Sequence, residues 1–164
     1  MSLEAENPYT FRPYVPDDLN FIQSSWGHSY YKGANFDRIL APKPFHDHHR
    51  PIRERILAKP STAIIVACAK DAHDVILGYI IVEDPPKPPN GFNGMILHYL
   101  YVKEAFKKEG IATELLAKSI PSTPVFYTHE TELIRRILKD LRIKDHANGK
   151  LDRFKDYYFE PHLI

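Results

Sequence analysis

The sequence predicts an α+β fold with its elements in the order β-α-α-β-β-β-α-β-α-β. Two apolar runs, residues 62–69 and 75–82, are separated by the polar segment KDAHD, which is typical of a β-hairpin. A third apolar run, residues 95–102, follows, and helical and strand patterns alternate from there onward. An antiparallel meander that leads into a strand–helix–strand unit is an α+β arrangement and not a doubly wound parallel sheet.

The first half of the chain predicts one strand and two helices before the hairpin. Residues 9–15 (YTFRPYV) have a β-rich composition and predict the first strand. Residues 16–30 predict a helix, because apolar side chains recur at helical spacing from Leu19 to Trp26 after two aspartates. Residues 47–59 predict the second helix on the same grounds of periodicity.

Two proline-rich segments interrupt these patterns. Many of the 14 prolines lie in residues 41–51 and 84–91. Because proline lacks the backbone N–H, we predict that neither segment is a helix or a central strand. The first predicts a loop between the two helices, and the second predicts a stiff, extended connection between strands.

The second half predicts two further helices and two further strands. After a glycine turn, apolar side chains from Ile111 to Leu116 share one helix face. Residues 123–129 predict a short strand, and residues 130–141 predict a helix with an apolar stripe opposite its arginines and lysines. The aromatic tail, residues 150–164, predicts the last strand.

Composition favours one globular domain, with residues 1–164 forming a single core. The chain has 164 residues, of which 43% are hydrophobic and 26% charged, and its formal net charge is +1. A net charge this close to zero does not favour binding to nucleic acid. No apolar run approaches the roughly 20 residues of a membrane span. The N-terminal segment lacks the apolar stretch of a secretion signal, and the one cysteine, Cys68, cannot form an internal disulfide. We expect a cytoplasmic monomer or homodimer.

The segment FKKEGIA, residues 106–112, lies at a strand-to-helix junction. A glycine turn that opens a helix leaves free backbone N–H groups at the positive end of the helix dipole, where phosphate binds. Gly110 leaves room for a ligand to approach the backbone, and Lys107 and Lys108 add positive charge. Neither G-x-x-x-x-G-K-[ST] nor G-x-G-x-x-G occurs in the chain. On local sequence alone, a plain capped turn remains an alternative.

This strand–turn–helix pattern resembles the acetyl-CoA motif of the GNAT N-acetyltransferase superfamily, usually Arg or Gln, two residues, Gly, one residue, then Gly or Ala. Lys107, Gly110 and Ala112 occupy these positions, and lysine departs from the usual Arg or Gln because it lacks the planar fork. The resemblance in element order covers roughly residues 9–159. It implies a GNAT-like mixed, mostly antiparallel sheet with flanking helices, whose fourth and fifth strands splay apart around a thioester.

The resemblance implies acetyl-CoA as the acyl donor, an amine that the sequence does not identify as the acceptor, and no metal. The pantetheine arm is expected to pair with the backbone of Leu100, Tyr101 and Val102, as an added strand would. The residues expected at the pyrophosphate form one run: Lys107, Lys108, Glu109, Gly110, Ile111, Ala112 and Thr113.

Acetyl transfer to an amine requires a base for the amine, a polarised carbonyl and a proton for the leaving thiolate. Members of the family often use a Glu or a bound water as base, and a Tyr in the helix after the fifth strand as acid. That helix contains no tyrosine here, which puts a Tyr acid in doubt. The candidate catalytic residues therefore come from the neighbouring strands and are His98, Tyr99, His129 and Glu83.

Each catalytic candidate also has a purely structural interpretation. Strand alternation places His98 on one face of the sheet and Tyr99 on the other. His98 is either an imidazole bonded within the sheet or a proton relay, and Tyr99 is either a core aromatic or an acid. His129 either caps a helix or contacts substrate, and Glu83, at a strand end, is a spare base.

The segment FHDHHRP, residues 45–51, brings three histidines and an aspartate together. Its spacing matches no zinc signature, so a solvated or helix-capping segment and a metal site are the two alternatives to a substrate contact. In GNAT-like folds the connection between the first two helices borders the acceptor groove. We therefore predict substrate contacts from His46 and His48, with Tyr30 and Tyr31 lining the same groove.

Three hypotheses about function follow, and we favour the first. It is an N-acetyltransferase in which a primary amine attacks acetyl-CoA directly in a ternary complex. The second is a GNAT-fold domain that binds acyl-CoA or a protein without catalysis, motivated by the missing tyrosine and by Lys107. The third is a nucleic-acid-binding accessory protein that uses the basic stretch 135–155, which is otherwise a solvated face or an adenosine phosphate contact.

Overall fold

The computed structural model describes residues 7–85, 94–107, 109–120, 124–147 and 157–164. Its elements are β1 (Tyr9–Pro13), α1 (Leu19–Gly33), α2 (Pro42–Ala58), β2 (Thr62–Ala69), β3 (Ala72–Glu83), β4 (Met95–Val102), α3 (Ile111–Ser119), β5 (Val125–Tyr127), α4 (Glu132–Ala147) and β6 (Tyr157–Phe159). The predicted α+β order β-α-α-β-β-β-α-β-α-β is therefore confirmed. No helix among the described residues is both long and apolar enough to cross a membrane.

The six strands form one mixed sheet in sequential order, from β1 to β6. Strands β1 to β4 pair antiparallel, whereas β5 pairs parallel to β4 and β6 pairs parallel to β5. A tight turn joins the antiparallel strands β2 and β3, whereas α1 and α2 lie between the antiparallel strands β1 and β2. Each parallel pair is joined through a helix, as parallel strands require. The prediction of a mixed, mostly antiparallel sheet is confirmed.

Strands β4 and β5 part soon after they begin to pair. The pairing covers only Met95–Leu97 opposite Val125–Tyr127, followed by one bond from the Thr128 amide to the Leu97 carbonyl at 3.0 Å. Strand β4 runs on to Val102. In the described part of the chain, no strand pairs with this outer half of β4 on the β5 side, so a gap opens beyond Leu97.

A β-bulge lies in β4 at His98. Ile81 opposes Tyr99 and Val82 opposes Leu97, so the register passes over His98. An extra residue in one strand interrupts the alternation of side chains. The alternation that predicts opposite faces for His98 and Tyr99 is interrupted at the bulge, so their separation stays a prediction.

Helices cover both faces of the sheet. Helices α3 and α4 pack on one face, where Ile111, Leu115 and Leu138 join Leu100 and Val102 of β4 in a common core. Helices α1 and α2 pack on the other face, in a core that contains Ile22, Trp26, Ile56, Ile81 and Tyr99. Strand β4 therefore contributes side chains to the cores on both faces of the sheet.

Helix α2 corrects the prediction that residues 41–51 form a loop, since it begins at Pro42 and contains Pro44 and Pro51. Proline at the first helical position removes an N–H that has no partner there in any case. Pro51 lies inside the helix, at a cost of about 3 kcal/mol. Burial of Phe45 and Ile56 offsets that cost, at roughly 1.5–3 kcal/mol for each side chain.

Other boundaries differ from the predictions by a few residues. Strand β1 ends at Pro13, β3 begins at Ala72, and α1 continues to Gly33. The last strand is limited to Tyr157–Phe159. Most of the predicted proline connection, residues 86–93, lies outside the described residues.

Candidate active site

A pocket of about 380 Å³ lies between the end of β4, the start of α3 and one side of α4. We call it the α3 pocket. Its lining residues are Val102, Phe106, Lys107, Gly110, Ile111, Ala112, Thr113, Leu133, Arg136, Ile137 and Asp140. Apolar side chains dominate the lining, and two cationic side chains lie at its edge.

The first turn of α3 presents free backbone donors to this pocket. The Glu114 amide is the first to bond inside the helix, to the Gly110 carbonyl at 3.1 Å. The amides of residues 111–113 therefore have no acceptor within the helix. Gly110 caps this end with φ of 85°, a conformation that strains residues with a Cβ. The Tyr9 hydroxyl donates to the Glu109 carbonyl at 3.0 Å and holds the turn in place.

Two cationic side chains, Lys107 and Arg136, line the α3 pocket. Lys107 pairs with Glu104 at 2.6 Å across one turn of chain, and Arg136 approaches from α4. Asp140 is the one acidic side chain among the described lining residues. Aligned amides, a helix dipole and two cations favour a negatively charged ligand here.

Most of the residues predicted to bind the cofactor lie at this pocket. Those that line it are Val102, Lys107, Gly110, Ile111, Ala112 and Thr113. Leu100 and Tyr101 precede Val102 on the outer half of β4, but the Tyr101 ring stacks on Tyr79 in the core under α1. Glu109 belongs to the glycine turn, and Lys108 lies outside the described residues. The contribution of α4 through Leu133 and Ile137 was not predicted.

A second pocket, of about 420 Å³, lies on the opposite face of the sheet between α1, α2 and the chain that follows β5. We call it the α1–α2 pocket. Its lining residues are Tyr30, Phe36, Leu40, Pro44, Phe45, His48, His49, Ile52, Thr128, His129, Pro161 and Ile164. The structure therefore brings Tyr30, His48 and His129 together out of the residues that the sequence singles out.

Two predicted substrate contacts do not line this pocket. Tyr31 is buried, and its hydroxyl donates to the Leu40 carbonyl at 2.7 Å. The His46 ring packs against Tyr31 and Phe45. Both side chains therefore support the wall of the α1–α2 pocket from behind.

A continuous chain of hydrogen bonds runs from α2 to the end of β3. We call it the histidine chain; its members are Arg53, His49, His129, Thr128, His98 and Glu83. The successive distances are 2.6 Å from Arg53 Nη1 to His49 Nδ1, 2.9 Å between the two Nε2 atoms of His49 and His129, and 2.8 Å from His129 Nδ1 to Thr128 Oγ1. Thr128 Oγ1 lies 3.1 Å from His98 Nδ1, and His98 Nε2 lies 2.9 Å from Glu83 Oε1.

The two ends of the histidine chain fix the direction of every bond in it. Arginine can only donate and an ionised carboxylate can only accept. His49 therefore accepts at Nδ1 and donates from Nε2 to His129, and His129 donates from Nδ1 to Thr128. Thr128 then donates to His98 Nδ1, and His98 donates from Nε2 to Glu83. With neutral imidazoles, each contact has one donor and one acceptor.

Burial keeps the three histidines neutral. Loss of solvent, reinforced by the charge of Arg53, lowers the pKa of His49 to about 3. Burial likewise lowers the pKa of His98 and holds that of His129 well below its ordinary value. Glu83 behaves in the opposite way, because hydrogen bonds from His98 and Lys59 lower its pKa to about 2. Glu83 therefore remains ionised near neutral pH.

Tyr99 lies beside this network without lining either pocket. Its hydroxyl shares a hydrogen bond with Ser29 at 2.7 Å, and its ring stacks on Trp26 at 5.4 Å between centroids. Burial raises the pKa of the Tyr99 hydroxyl. His129 does not cap α4, because Thr131 Oγ1 accepts the Ile134 amide at 3.3 Å there.

Sequence patterns missed three members of the histidine chain: Thr128, His49 as a network residue, and Arg53. His49 and Arg53 are four residues apart on one helix face, where side chains meet. The predicted helix over residues 47–59 already contains both residues, so this spacing is the signal that could have found them. Among the residues that the structure describes, no group of three His, Cys, Asp or Glu side chains is arranged to hold a metal ion.

Comparison with known sequences and structures agrees with the fold described above. The Acetyltransferase (GNAT) family matches residues 26–121 of the chain. No curated protein matches the chain. A structure described as histone acetyltransferase HPA2 and related acetyltransferase from Corynebacterium glutamicum is 15% identical with a TM-score of 0.60, over 83% of this chain and 84% of that one.

Two structures of the aminoglycoside N-acetyltransferase AAC(6')-Iy are also similar. The complex with CoA is 16% identical with a TM-score of 0.53, over 92% of this chain and 93% of that one. The complex with the bisubstrate analog CoA-S-monomethyl-acetylneamine is 17% identical with a TM-score of 0.52, over 90% of this chain and 93% of that one. At these identities the likeness concerns the fold. Since the family match covers more than half of the residues, the chain belongs to the GNAT acetyltransferase family.

Proposed function

We propose that this chain, acting as one acyl-CoA-binding domain, transfers an acetyl group from acetyl-CoA to a primary amine by direct attack in a ternary complex. The observation that carries the proposal is the parting of β4 and β5 beyond Leu97. The α3 pocket and the α1–α2 pocket lie on opposite faces of the sheet, on either side of that gap. His129 and Thr128 follow β5 where the two strands part, so they stand between donor and acceptor.

The residues of the α3 pocket fit acetyl-CoA. A Cβ built on Gly110 meets its nearest atom, the Tyr9 hydroxyl, at 3.8 Å, so space is open above the glycine. The amides of residues 111–113 suit a diphosphate, with Lys107 and Arg136 adding charge. The structure of AAC(6')-Iy with CoA, which has the same fold, supports this assignment.

The outer half of β4 is suited to the pantetheine arm. Its β5-facing edge has no partner strand within the described residues, and the arm carries amide groups that pair with an open strand edge. Leu100, Tyr101 and Val102 would hold the arm so that the thioester reaches the gap near His98. Acetyl-CoA supplies the activated carbonyl, and holding it beside the amine accounts for a large part of the rate.

His129 is the residue that we assign to the amine. It lines the α1–α2 pocket and its Nε2 atom faces His49. When the amine takes the place of His49, His129 Nε2 accepts a proton from the attacking nitrogen. His129 Nδ1 then passes its own proton to Thr128, and Thr128 passes its hydroxyl proton to His98 Nδ1.

As the C–N bond forms, the C–S bond breaks and CoA leaves as the thiolate, which takes a proton from solvent on release. The positive charge from the amine proton ends on His98. His98 then carries protons on both nitrogens, next to the carboxylate of Glu83 at 2.9 Å. With a pKa of about 2, Glu83 stabilises that imidazolium as a counter-charge and is a poor store for the proton itself. Tyr99 is not among the lining residues of either pocket, so we assign it no step in the transfer. Its role as an acid stays a prediction.

Two measurements test the proposal together. Titration calorimetry should show acetyl-CoA binding, and a thiol reagent should detect release of CoA when an amine is added. Binding with amine-dependent thiol release supports the transferase. Absence of heat at millimolar acetyl-CoA would contradict the assignment of the α3 pocket.

One observation favours the alternative of a binding domain without catalysis. Every acceptor nitrogen of the three histidines is already occupied, so none is a free base as the structure stands. A binder of acyl-CoA would give calorimetric heat with acetyl-CoA but no thiol release above background for any amine. A transferase gives both signals.

A further inference from the structure

The α1–α2 pocket is lined by rings and aliphatic side chains. Among the described residues that line it, no side chain is a carboxylate, an ammonium or a guanidinium. Its polar side chains are Tyr30, Thr128 and the three histidines, and burial or nearby charge lowers the pKa of His49 and His129. The pocket is thus mainly apolar, with a few polar side chains in its lining.

Flat walls shape this pocket. The Tyr30 ring, which lines the pocket, lies 5.2 Å from Phe36, 6.0 Å from Phe45 and 5.0 Å from His49 between ring centroids. Phe36 and Phe45 lie 5.0 Å from each other, and His49 stacks on Phe45 at 5.4 Å. Aromatic walls favour a flat or branched apolar body, because such a body replaces water along each ring face.

The charges around the pocket disfavour a second cation in the substrate. Arg53, which is 5% exposed, lies directly behind His49. Burial raises the pKa of Tyr30 and the charge of Glu130 adds to that effect, but Glu130 already pairs with Arg135 at 3.3 Å. A polyamine or an aminoglycoside would have to bring an additional ammonium beside Arg53, and none of the described side chains that line the pocket is a carboxylate to receive it. Attraction of that ammonium to the ring faces is weaker than this desolvation cost.

From these observations we propose that the acceptor is a compact monoamine with an aromatic or branched apolar body, and that polycationic amines are excluded. The inference rests on the proposed transferase function, because it assigns the α1–α2 pocket to the amine. The single amino group enters towards His129, and the apolar body lies against Tyr30, Phe36 and Phe45.

The direct test compares 2-phenylethylamine with 1,4-diaminobutane and kanamycin as acceptors in the thiol-release assay. We expect kcat/KM for 2-phenylethylamine to exceed that for 1,4-diaminobutane about 100-fold or more, the size of an unpaired buried charge. Equal or higher values for 1,4-diaminobutane or kanamycin would overturn the inference and leave the transferase standing. If acetyl-CoA binds but no amine is turned over, both the transferase function and the proposed acceptor are contradicted. If acetyl-CoA does not bind, the proposed function itself is refuted.

A charge introduced at the pocket mouth gives a second test. His48 is exposed and lines the pocket, so His48→Glu supplies the carboxylate that a diamine needs without disturbing the core. We expect the preference for 2-phenylethylamine over 1,4-diaminobutane to shrink two- to fivefold, the size of a partly exposed ion pair. His73→Glu, the same substitution at an exposed position of β3 that lines neither pocket, should leave the preference unchanged. The same change in both variants would contradict the inference.

Binding can also be followed without turnover. Trp26 is the one tryptophan of the chain, and its ring lies 5.9 Å from His49 and 5.3 Å from His129. Added to the protein with CoA, 2-phenylethylamine should change the Trp26 fluorescence at lower concentration than 1,4-diaminobutane. Phe36→Ala should weaken this response while leaving the calorimetric affinity for acetyl-CoA intact. A response to both amines at the same concentration would count against the assigned chemistry.

Discussion

His49 of α2 and His129 after β5 face each other with 2.9 Å between their Nε2 atoms, although 80 residues separate them in sequence. The contact joins the helical layer to the end of β5, at the place where β4 and β5 separate. Because Arg53 occupies the other nitrogen of His49, the shared proton belongs to His49. His129 is therefore the acceptor of this bond and the histidine nearest to serving as a base.

Thr128 is the hydroxyl that connects His129 to His98. Thr128→Val keeps the shape of the side chain but removes the hydroxyl, and we expect kcat to fall about 100-fold with little change in KM for acetyl-CoA. Thr128→Ser retains the hydroxyl and should recover most of the loss. Steady-state kinetics of both variants measure this. A valine variant with wild-type kcat would show that protons do not pass through Thr128.

The pH dependence of stability should reflect the buried neutral histidines. His49 has a pKa of about 3 in the folded chain and an ordinary value of 6.5, so the unfolded chain binds its proton first as pH falls. Stability is then flat above pH 6.5 and declines below it, by up to about 1.4 kcal/mol per pH unit for each such histidine. Glu83 adds to the decline between pH 4.5 and 2, because its carboxylate is stabilised in the folded state.

Urea unfolding at pH 7, 6 and 5 measures that decline. His49→Gln removes one titrating group, so its free energy of unfolding should depend less steeply on pH than that of the wild type. Replacing the exposed His28 with Gln serves as the control and should leave the slope as it is. An unchanged slope in His49→Gln would show that His49 does not titrate as the structure indicates.

Gly110 should be sensitive to the type of residue that replaces it more than to its size. With φ of 85° and open space above it, Gly110→Asn should be tolerated better than Gly110→Ala, which we expect to cost about 1 kcal/mol. Gly110→Glu places a carboxylate before the free amides and should abolish acetyl-CoA binding in calorimetry. If Gly110→Glu binds acetyl-CoA with wild-type affinity, the diphosphate does not bind at this turn.

Gly27 allows Arg53 to lie against α1. A Cβ at Gly27 would come within 2.9 Å of the Arg53 guanidinium, which is the flexible end of that side chain. Gly27→Ala should therefore move Arg53 away from His49. The gain of about 1 kcal/mol in helix propensity offsets part of the lost contact. We expect a lower kcat at nearly unchanged thermal stability, and Arg53→Lys, which loses the planar fork, should resemble it. Loss of stability without loss of rate would contradict the role given to Arg53.

The fold was largely predictable because its signals are local. Residues 62–69 and 95–102 coincide with β2 and β4, since continuous apolar runs bounded by polar turns determine buried strands. The glycine turn before α3 was likewise visible, because Gly110 and its neighbours form one short pattern. Prolines misled the prediction of α2, because their cost depends on position in the helix and on what the helix buries.

The histidine chain was not predictable in the same way. Its members come from α2, β3, β4 and the segment after β5, and only the assembled sheet brings them into contact. The bulge at His98 also leaves the apolar pattern of β4 unchanged, so alternation alone could not reveal that His98 shares a network with His129. Candidates such as His98 and Glu83 were visible one at a time, but their hydrogen bond was not.

A crystal structure with CoA bound tests the central claim most directly. The account predicts that the diphosphate bonds to the amides of residues 111–113, that the arm lies along Leu100–Val102, and that the sulfur lies in the gap beyond Leu97 within one water molecule of His129. A sulfur outside the gap, or strands β4 and β5 paired through to Val102, would contradict it.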